Sequence, residues 1–541
     1  MTESKYASLD REALIRLLER RDAERTLGLV WETDDADVHE QAVNDDFVAL
    51  DLDASLACGD APWRNLVIEG DNFDALRALR MSHAGRVRCI YIDPPYNTGN
   101  RDFVYNDRFV DRTHRFRHSM WLEFMHRRLQ LAKDLLADDG VIFVSIDDNE
   151  LYRLGMLMER VFGEANFIAN VIWQKAYAPK NSAQHFSDDH EYIVVFARSA
   201  SCWRPNSLPR TQSQDDAYKN PDNDPRGPWR ADGMSARNYY SKGTYPVTCP
   251  SGRVVPGPPS GRYWVYSEEK FRELDRDGRI WWGADGNNNP AVKRFLSEVK
   301  QGVVPQTLWT YDVAGHTQDA KKQLLDVLRF DSSADVFSTP KPIQLIERIL
   351  RIATKPDDIV LDFFAGSGTT AHAVAKLNAE DGGNRRFILV STTEATADEP
   401  DKNLCRDVCA QRVRRVLGGY TNAKGEAVPG LGGGFAYLRA RRLPRHRVSR
   451  RLGHVQAWTA LCLMHDVPLA PWPGRGLATA KGVAYLADFE PATLDALRDW
   501  LAHVSGSVPI VYSWAPERLA SIAARFDARP LPQTLVDRFG R

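Results

Sequence analysis

Two hydrophobic rhythms run through the chain. Short apolar runs such as "NLVIEGD" (65–71), "VRCIYID" (87–93), "VIFVSIDD" (141–148), "DDIVLDFF" (357–364) and "NRRFILVS" (384–391) are almost unbroken. Runs this short and this apolar predict strands buried on both faces of a sheet. Between them, "NFDALRAL", "SMWLEFMHRRLQLAKDLLADDG", "NELYRLGMLMERVFG" and "TTAHAVAKL" space their apolar residues every three or four positions. That spacing predicts amphipathic helices, the second ending near Gly140. "NVIWQKA" and "HEYIVVFARS" add two more strands. Repeated strand–helix–strand units predict an α/β fold with a mostly parallel sheet covered on both faces.

The rhythm also marks out units. In "SLDREALIRLLERR", Leu14, Leu17 and Leu18 sit at helical spacing behind Ser8 or Asp10, so residues 1–55 read as a helical lead-in. Residues 56–200 carry the first α/β half. Near residue 200 the texture becomes rich in Pro, Asn, Asp and aromatics, and 201–330 reads as an inserted recognition domain. The α/β texture returns over 331–430. A basic linker, "RARRLPRHRVSRR", then leads into a small α/β domain within 431–541.

Length adds that roughly three or four domains fit into 541 residues. The net charge of −1 means that nucleic-acid binding must rest on local patches. Seven cysteines form no CxxC pair, so neither a metal site nor a disulfide framework is expected. The charged N-terminus has no signal-peptide core, and no apolar run reaches the roughly 20 residues of a membrane span. A reducing, cytoplasmic setting without membrane contact is the expectation.

Two segments carry chemistry. In "DFFAGSGTT", a strand enters a turn holding Gly366 and Gly368 and leaves as a helix. The glycines allow close backbone approach, and the helix N-terminus favours an anionic group such as a carboxylate. No GxxxxGK[ST] nucleotide loop is present, and GxGxxG is not met. On the next strand's end, Glu394 is placed to accept from ribose hydroxyls. In "DPPY", Asp93, Pro94, Pro95 and Tyr96 make a stiff turn outside a strand. The Asp93 carboxylate and a Pro carbonyl are both acceptors for an exocyclic amino group. Tyr96 offers a stacking face worth roughly 1–3 kcal/mol.

"DPPYNTG" followed much later by "DFFAGSGTTAHAV" resembles the amino-group DNA methyltransferases in their β-class order, with the catalytic motif ahead of the cofactor motif. "IEGDNFDALRAL", "DPRGPWRADG", "PPSGRYWVYSEE", "HTQDAKKQLLDVL", "STPKPIQLIERIL" and "LNAEDGGNRRFILV" are similar to segments of type III restriction–modification Mod subunits. The resemblance covers about residues 60–440 and implies a permuted Rossmann-like methyltransferase fold using S-adenosyl-L-methionine. It implies cofactor contacts at Asp71, Lys341, Pro342, Asp362, Phe364, Gly366, Gly368, Thr369 and Glu394, although "STTE" departs from the family's commoner "QLPE". Asp93, Pro94, Pro95 and Tyr96 take the target-base role, with Asn97, Phe103 and Tyr105 near the flipped base. Arg115 and Arg117 in one basic patch, and Arg441 and Arg442 in another, are candidates for DNA phosphate.

The implied reaction is methyl transfer to adenine N6 in double-stranded DNA by base flipping. N4-cytosine is the nearest alternative, since that group more often has Ser in place of Asp93. A C5-cytosine enzyme needs a Pro-Cys nucleophile, and no Pro-Cys dipeptide occurs. A DNA-specificity subunit for a helicase–nuclease partner, and a glutamine or RNA methyltransferase, are further readings. The resemblance also implies a homodimer and a restriction partner.

Overall fold

In the computed structural model the described residues are 10–16, 46–99, 104–105, 108–109, 117–300, 302–330, 337, 339–395, 399–506, 508–522 and 525–540. The chain opens with β1 (Phe47–Leu52), β2 (Asn65–Glu69), α1 (Asn72–His83), β3 (Val87–Ile92), α2 (Arg117–Leu135), β4 (Leu136–Ile146), α3 (Leu151–Phe162), β5 (Phe167–Gln174) and β6 (His190–Ala197). A loop-rich segment holds β7 (Trp229–Gly233), α4 (Glu268–Arg276), β8 (Ile280–Trp281) and β9 (Ala291–Phe295). Then come β10 (Leu308–Trp309), α5 (Thr317–Val327), α6 (Ile343–Ala353), β11 (Ile359–Asp362), α7 (Thr369–Asp381), β12 (Arg386–Ser391), α8 (Gln411–Gly418), β13 (Phe435–Leu443) and α9 (His454–Met464). The C-terminal part adds β14 (Leu477–Ala480), β15 (Val483–Leu486), α10 (Pro491–His503), β16 (Ile510–Ser513), β17 (Asp527–Pro530) and α11 (Gln533–Phe539).

Ten strands form the central sheet in the order β1-β13-β2-β12-β11-β3-β4-β6-β5-β10. Only β1 and β6 run against the rest. Alternation along the strands builds two cores. Leu66 and Ile68 of β2 and Ile90 and Ile92 of β3 face a layer with Leu76, Trp121, Leu129 and Leu157. Val67, Cys89 and Tyr91 face the opposite layer with Ile346, Leu350, Val374 and Val413. This is the two-sided burial that the unbroken apolar runs require. β3 and β11 are neighbours, pairing Cys89 with Val360 and Ile90 with Leu361. The chain leaves β3 towards β4 on one side and leaves β11 towards β12 on the other. A crevice therefore opens where their carboxyl ends diverge.

The loop-rich segment builds a three-stranded antiparallel sheet, β8-β9-β7, over its own core of Met234, Trp264, Phe271, Trp282 and Val292. The C-terminal part carries a four-stranded sheet, β14-β15-β16-β17. Among the described residues, no helix is long and apolar enough to cross a membrane.

Three expectations are corrected. Residues 47–52, read as part of a helical lead-in, form β1 and pair with β13. Their apolar side chains complete the core against Phe539 and Trp458. The "basic linker" begins with β13, inside the central sheet and parallel to β2. Phe435, Ala436, Tyr437 and Leu438 at its start are wholly buried, while the arginines that follow give the segment its basic look. The helix expected to reach Gly140 stops at Leu135, because Leu136 is captured in the ladder opposite Val87. A Cβ at Gly140 would lie 2.8 Å from the Ala137 carbonyl oxygen and 2.9 Å from that of Val87, so this close-packed strand start needs glycine.

Candidate active site

The two chemical segments meet at the crevice. Beyond β3, Tyr96 donates its hydroxyl proton either to Asp93 Oδ1, 2.8 Å away, or to Glu191 Oε2, 3.0 Å away. Lys341 Nζ lies 2.8 Å from each oxygen of Asp93 and 3.6 Å from Glu191 Oε2, and it stands 5.0 Å from the centre of the Tyr96 ring. Lys175 closes the cluster, 3.5 Å from Glu191 and 3.0 Å from Asp188. The Asp93 side chain stays 20% exposed, so the acceptor is reachable from the crevice. Burial pushes the Asp93 carboxyl above the usual range, against the pull of Lys341. Burial would lower Lys341, but Asp93 and Glu191 outweigh it and hold the ammonium above its ordinary value. The turn itself is fixed from below, where the Trp121 indole donates to the Pro95 carbonyl at 2.7 Å. No hydrogen bond from the described residues reaches the Pro94 carbonyl.

Beyond β11, the glycine turn is braced from within. Asp362 is buried, accepting from the Phe364 amide at 3.0 Å and the Thr370 hydroxyl at 2.5 Å. Burial pushes its carboxyl up to about 7. Its neutral form is therefore favoured by folding. The stability it adds is full below the unfolded value of about 3.8 and is lost as pH rises towards 7. Asp362→Asn is expected to remove this dependence, so that the variant gains on the wild type between about pH 4 and 8 in urea unfolding. A constant difference across that range would contradict the assignment.

Gly366 has φ +49° and Gly368 φ +77°, the left-handed region that favours glycine. A Cβ on Gly366 would come within 2.9 Å of the Phe337 ring, and one on Gly368 within 3.1 Å of the Cys409 carbonyl oxygen. Gly368 caps α7, whose first residues Thr369 and Thr370 are buried. Behind them lies Arg412, wholly buried, donating from Nη1 to Ser367 Oγ at 3.0 Å and Thr369 Oγ1 at 2.7 Å. Its Nε and Nη2 have no hydrogen-bond partner among the described residues. Phe364 packs on Phe124, with ring centres 6.0 Å apart. Phe124 in turn lies beneath the Arg128 guanidinium at 3.6 Å.

Other expected residues fall differently. Asp71 caps α1, accepting from the Phe73 and Asp74 amides, and pairs with Arg128 at 3.1 Å, while its side chain stays half-exposed beside this turn. Asn72 links the two halves directly through the Phe363 carbonyl at 2.9 Å. Lys341 stands at Asp93 rather than at the glycine turn. Pro342 is the N-cap residue just before α6 and packs near Gly315. Glu394 lies past the end of β12 with φ +54°, exposed and 3.3 Å from Lys402. The more enclosed acid at this rim is instead Glu69, its side chain 14% exposed, which accepts from Asn403 at 2.9 Å and the Tyr437 hydroxyl at 2.5 Å. Asn97 is wholly buried with φ +57° and donates to Glu150 at 2.6 Å, so it locks the turn from within. Arg441 and Arg442 are already paired, with Asp51 at 3.2 Å and Asp74 at 2.5 Å, and are not free cations. Arg117 begins α2, its Nε donating to His118 at 3.1 Å. Phe103 and Arg115 lie outside the described residues, as does the side chain of Tyr105.

Glu191, Lys175, Phe337 and Arg412 escape the sequence reading. For Glu191 a signal exists, an acid set against the apolar run "YIVVFA". Phe337 and Arg412 have none, because the glycine turn they pack against lies 29 or more positions away in the chain.

The profile of the DNA methylase family matches residues 87–398. The chain belongs to this family. Its relatives within DNA methylases include the type III restriction-modification enzyme StyLTI Mod subunit of Salmonella typhimurium, 37% identical over 382 residues, 65% of this chain and 57% of that protein. The EcoPI Mod subunit of Escherichia phage P1 is 34% identical over 61% of this chain and 58% of its own. The type II methyltransferase M.KpnI of Klebsiella pneumoniae is 34% identical over 60% of this chain and 79% of its own. The chain thus spans under two thirds of the length of the two Mod subunits.

Proposed function

We propose that this DNA methylase transfers a methyl group from S-adenosyl-L-methionine to adenine N6 in duplex DNA, as the modification subunit of a type III-like restriction–modification system or as an orphan relative. The observation that carries this reading is the parallel pairing of β3 with β11, which brings the strand end that leads into Asp93 beside the strand end that leads into Phe364, about 270 residues apart in the chain.

The groups at the glycine turn fit the cofactor. A helix N-terminus, two left-handed glycines and the unpaired buried nitrogens of Arg412 suit an amino-acid carboxylate. Phe364 offers a face, and the half-exposed Asp71 an acceptor. When bound, the cofactor supplies a methyl group activated by a sulfonium. Asp93 and the Pro94 carbonyl would accept the two N6 hydrogens and turn the nitrogen lone pair out of the ring plane, towards that methyl. Tyr96 would stack on the base extruded from the duplex. Methyl transfer to N6 would require one N6 proton to leave, and the Asp93 carboxylate would be placed to take it. Catalysis by this site is positioning with fixed acceptors, without a covalent intermediate.

Adenine is favoured over N4-cytosine by the carboxylate at Asp93, as in the resemblance noted above. Relatives named as Mod subunits of type III restriction-modification enzymes support a restriction partner, which would supply cleavage. Methylation-aware sequencing of DNA from cells expressing the protein tests this directly. N6-methyladenine at one fixed sequence is the expected result. Unmodified DNA, or N4-methylcytosine, would overturn it.

A further inference from the structure

Asp93 and Tyr96 do not act from an apolar pocket. They are wired to a lysine and a glutamate that motif reasoning leaves without a role at the target base. Lys341 and Glu191 are each 8% exposed. Two carboxylates, Asp93 and Glu191, compete for one tyrosine proton and for one ammonium. The ammonium straddles both Asp93 oxygens at 2.8 Å, on the carboxylate that an amino group must reach, while Glu191 waits 3.6 Å away. A purely structural ion pair has no need of an exposed member in the crevice, yet Asp93 retains 20% exposure. Lys341 precedes α6 and Glu191 lies in β6, so neither is held at Asp93 by the turn that carries the motif.

We propose that Lys341 and Glu191 form a counter-charge couple for Asp93. The ammonium keeps the carboxyl an ionised acceptor, then yields to the incoming amino group by turning to Glu191. Both are positioning residues, and the inference rests on the methyl-transfer reading above. The charges around Asp93 support it. Lys341 and Glu191 face its oxygens, Tyr96 donates to one of them, and Tyr91 and Asp362 lie near on β3 and β11. Glu191 in turn faces Lys175, with Asp188 beyond it and Asp147 at the end of β4. Burial raises the Asp93 carboxyl, Lys341 opposes that rise and Glu191 adds to it. Removing the lysine and removing the glutamate must therefore move Asp93 in opposite directions.

Single-turnover methyl transfer to duplex DNA, measured from about pH 5.5 to 9.5 with wild type, K341M, K341R and E191Q, reads this out. The acid limb of the K341M profile should move up by about one unit or more, so that it loses about tenfold below the limb and recovers at high pH. K341R should hold the limb near the wild-type position. E191Q should move it down, and should raise several-fold the DNA concentration needed for half-maximal rate, because the ammonium loses its second seat. K341M and E191Q that lower the rate by one factor at every pH would overturn the couple. Should K341M fail to fold, the direction of the E191Q limb decides alone. A wild type that transfers no methyl to DNA overturns the underlying function, whereas a wild type that does so with unmoved limbs in the variants overturns this inference only.

Discussion

Asp93→Ala is expected to lower methyl transfer to duplex DNA by about 10²- to 10⁴-fold while leaving cofactor affinity within a few-fold of wild type. The size follows from what the carboxylate does. It is an acid reachable from the crevice, held between a tyrosine hydroxyl and an ammonium, both 2.8 Å away. Alanine removes both the acceptor for an N6 hydrogen and the nearest base for the departing proton. The fold should survive, because the ammonium of Lys341 keeps Glu191 at 3.6 Å. The loss of stability should then stay below the roughly 3–5 kcal/mol of a fully orphaned buried charge. Asp93→Asn sharpens the test. It keeps the shape and one acceptor but presents an amide NH₂ to Lys341, so it should recover little activity. Single-turnover rates with calorimetric cofactor titration check the split. An alanine variant that retains more than a tenth of the wild-type rate with unchanged DNA affinity would remove Asp93 from the chemistry.

How far the sequence foretells this site depends on the kind of contact. Strand ends and their motifs are local, so Asp93, Tyr96, Gly366 and Gly368 are legible from apolar runs that stop at Pro or Gly. Their meeting is legible too, because parallel strands joined by helices place such ends on one edge of a sheet. What hides is pairing across distance. Lys341 reads as a cofactor residue from its neighbourhood in the chain, yet its side chain reaches a carboxylate 248 positions away. Arg441 and Arg442 read as a free basic patch because the acids that neutralise them, Asp51 and Asp74, lie in another part of the sequence. Asn97 sits inside the motif, and only its left-handed backbone and its bond to Glu150 reveal that it holds the turn. The loop-rich segment after residue 200 stands out by texture alone. Its core depends on tryptophans such as Trp264 and Trp282, which in sequence look like surface aromatics for recognition.

Gly366→Ala should weaken binding of S-adenosyl-L-methionine by about 30- to 700-fold, through two separable terms. At φ +49° a Cβ costs about 1–2 kcal/mol against the following carbonyl. The same Cβ would stand 2.9 Å from Phe337 Cζ, so the ring must shift, at about 1–2 kcal/mol more. Together, about 2–4 kcal/mol corresponds to the stated range at 1.4 kcal/mol per tenfold. Where these terms appear depends on whether the turn can relax. The Asp362 brace and the Arg412 bonds to Ser367 and Thr369 hold its two flanks, but among the described residues no hydrogen bond pins Gly366 itself, so the turn should relax and the cofactor must rebuild it. The terms then show mainly in the dissociation constant, with a small change in Tm. Combining Gly366→Ala with Phe337→Ala separates them, because deleting the ring removes the collision and leaves the φ strain. The double variant should bind only about 5- to 30-fold more weakly than Phe337→Ala alone, a smaller step than the one Gly366→Ala causes in the wild type. Equal steps in both backgrounds would mean that Phe337 moves aside freely and that the backbone conformation alone makes this position glycine.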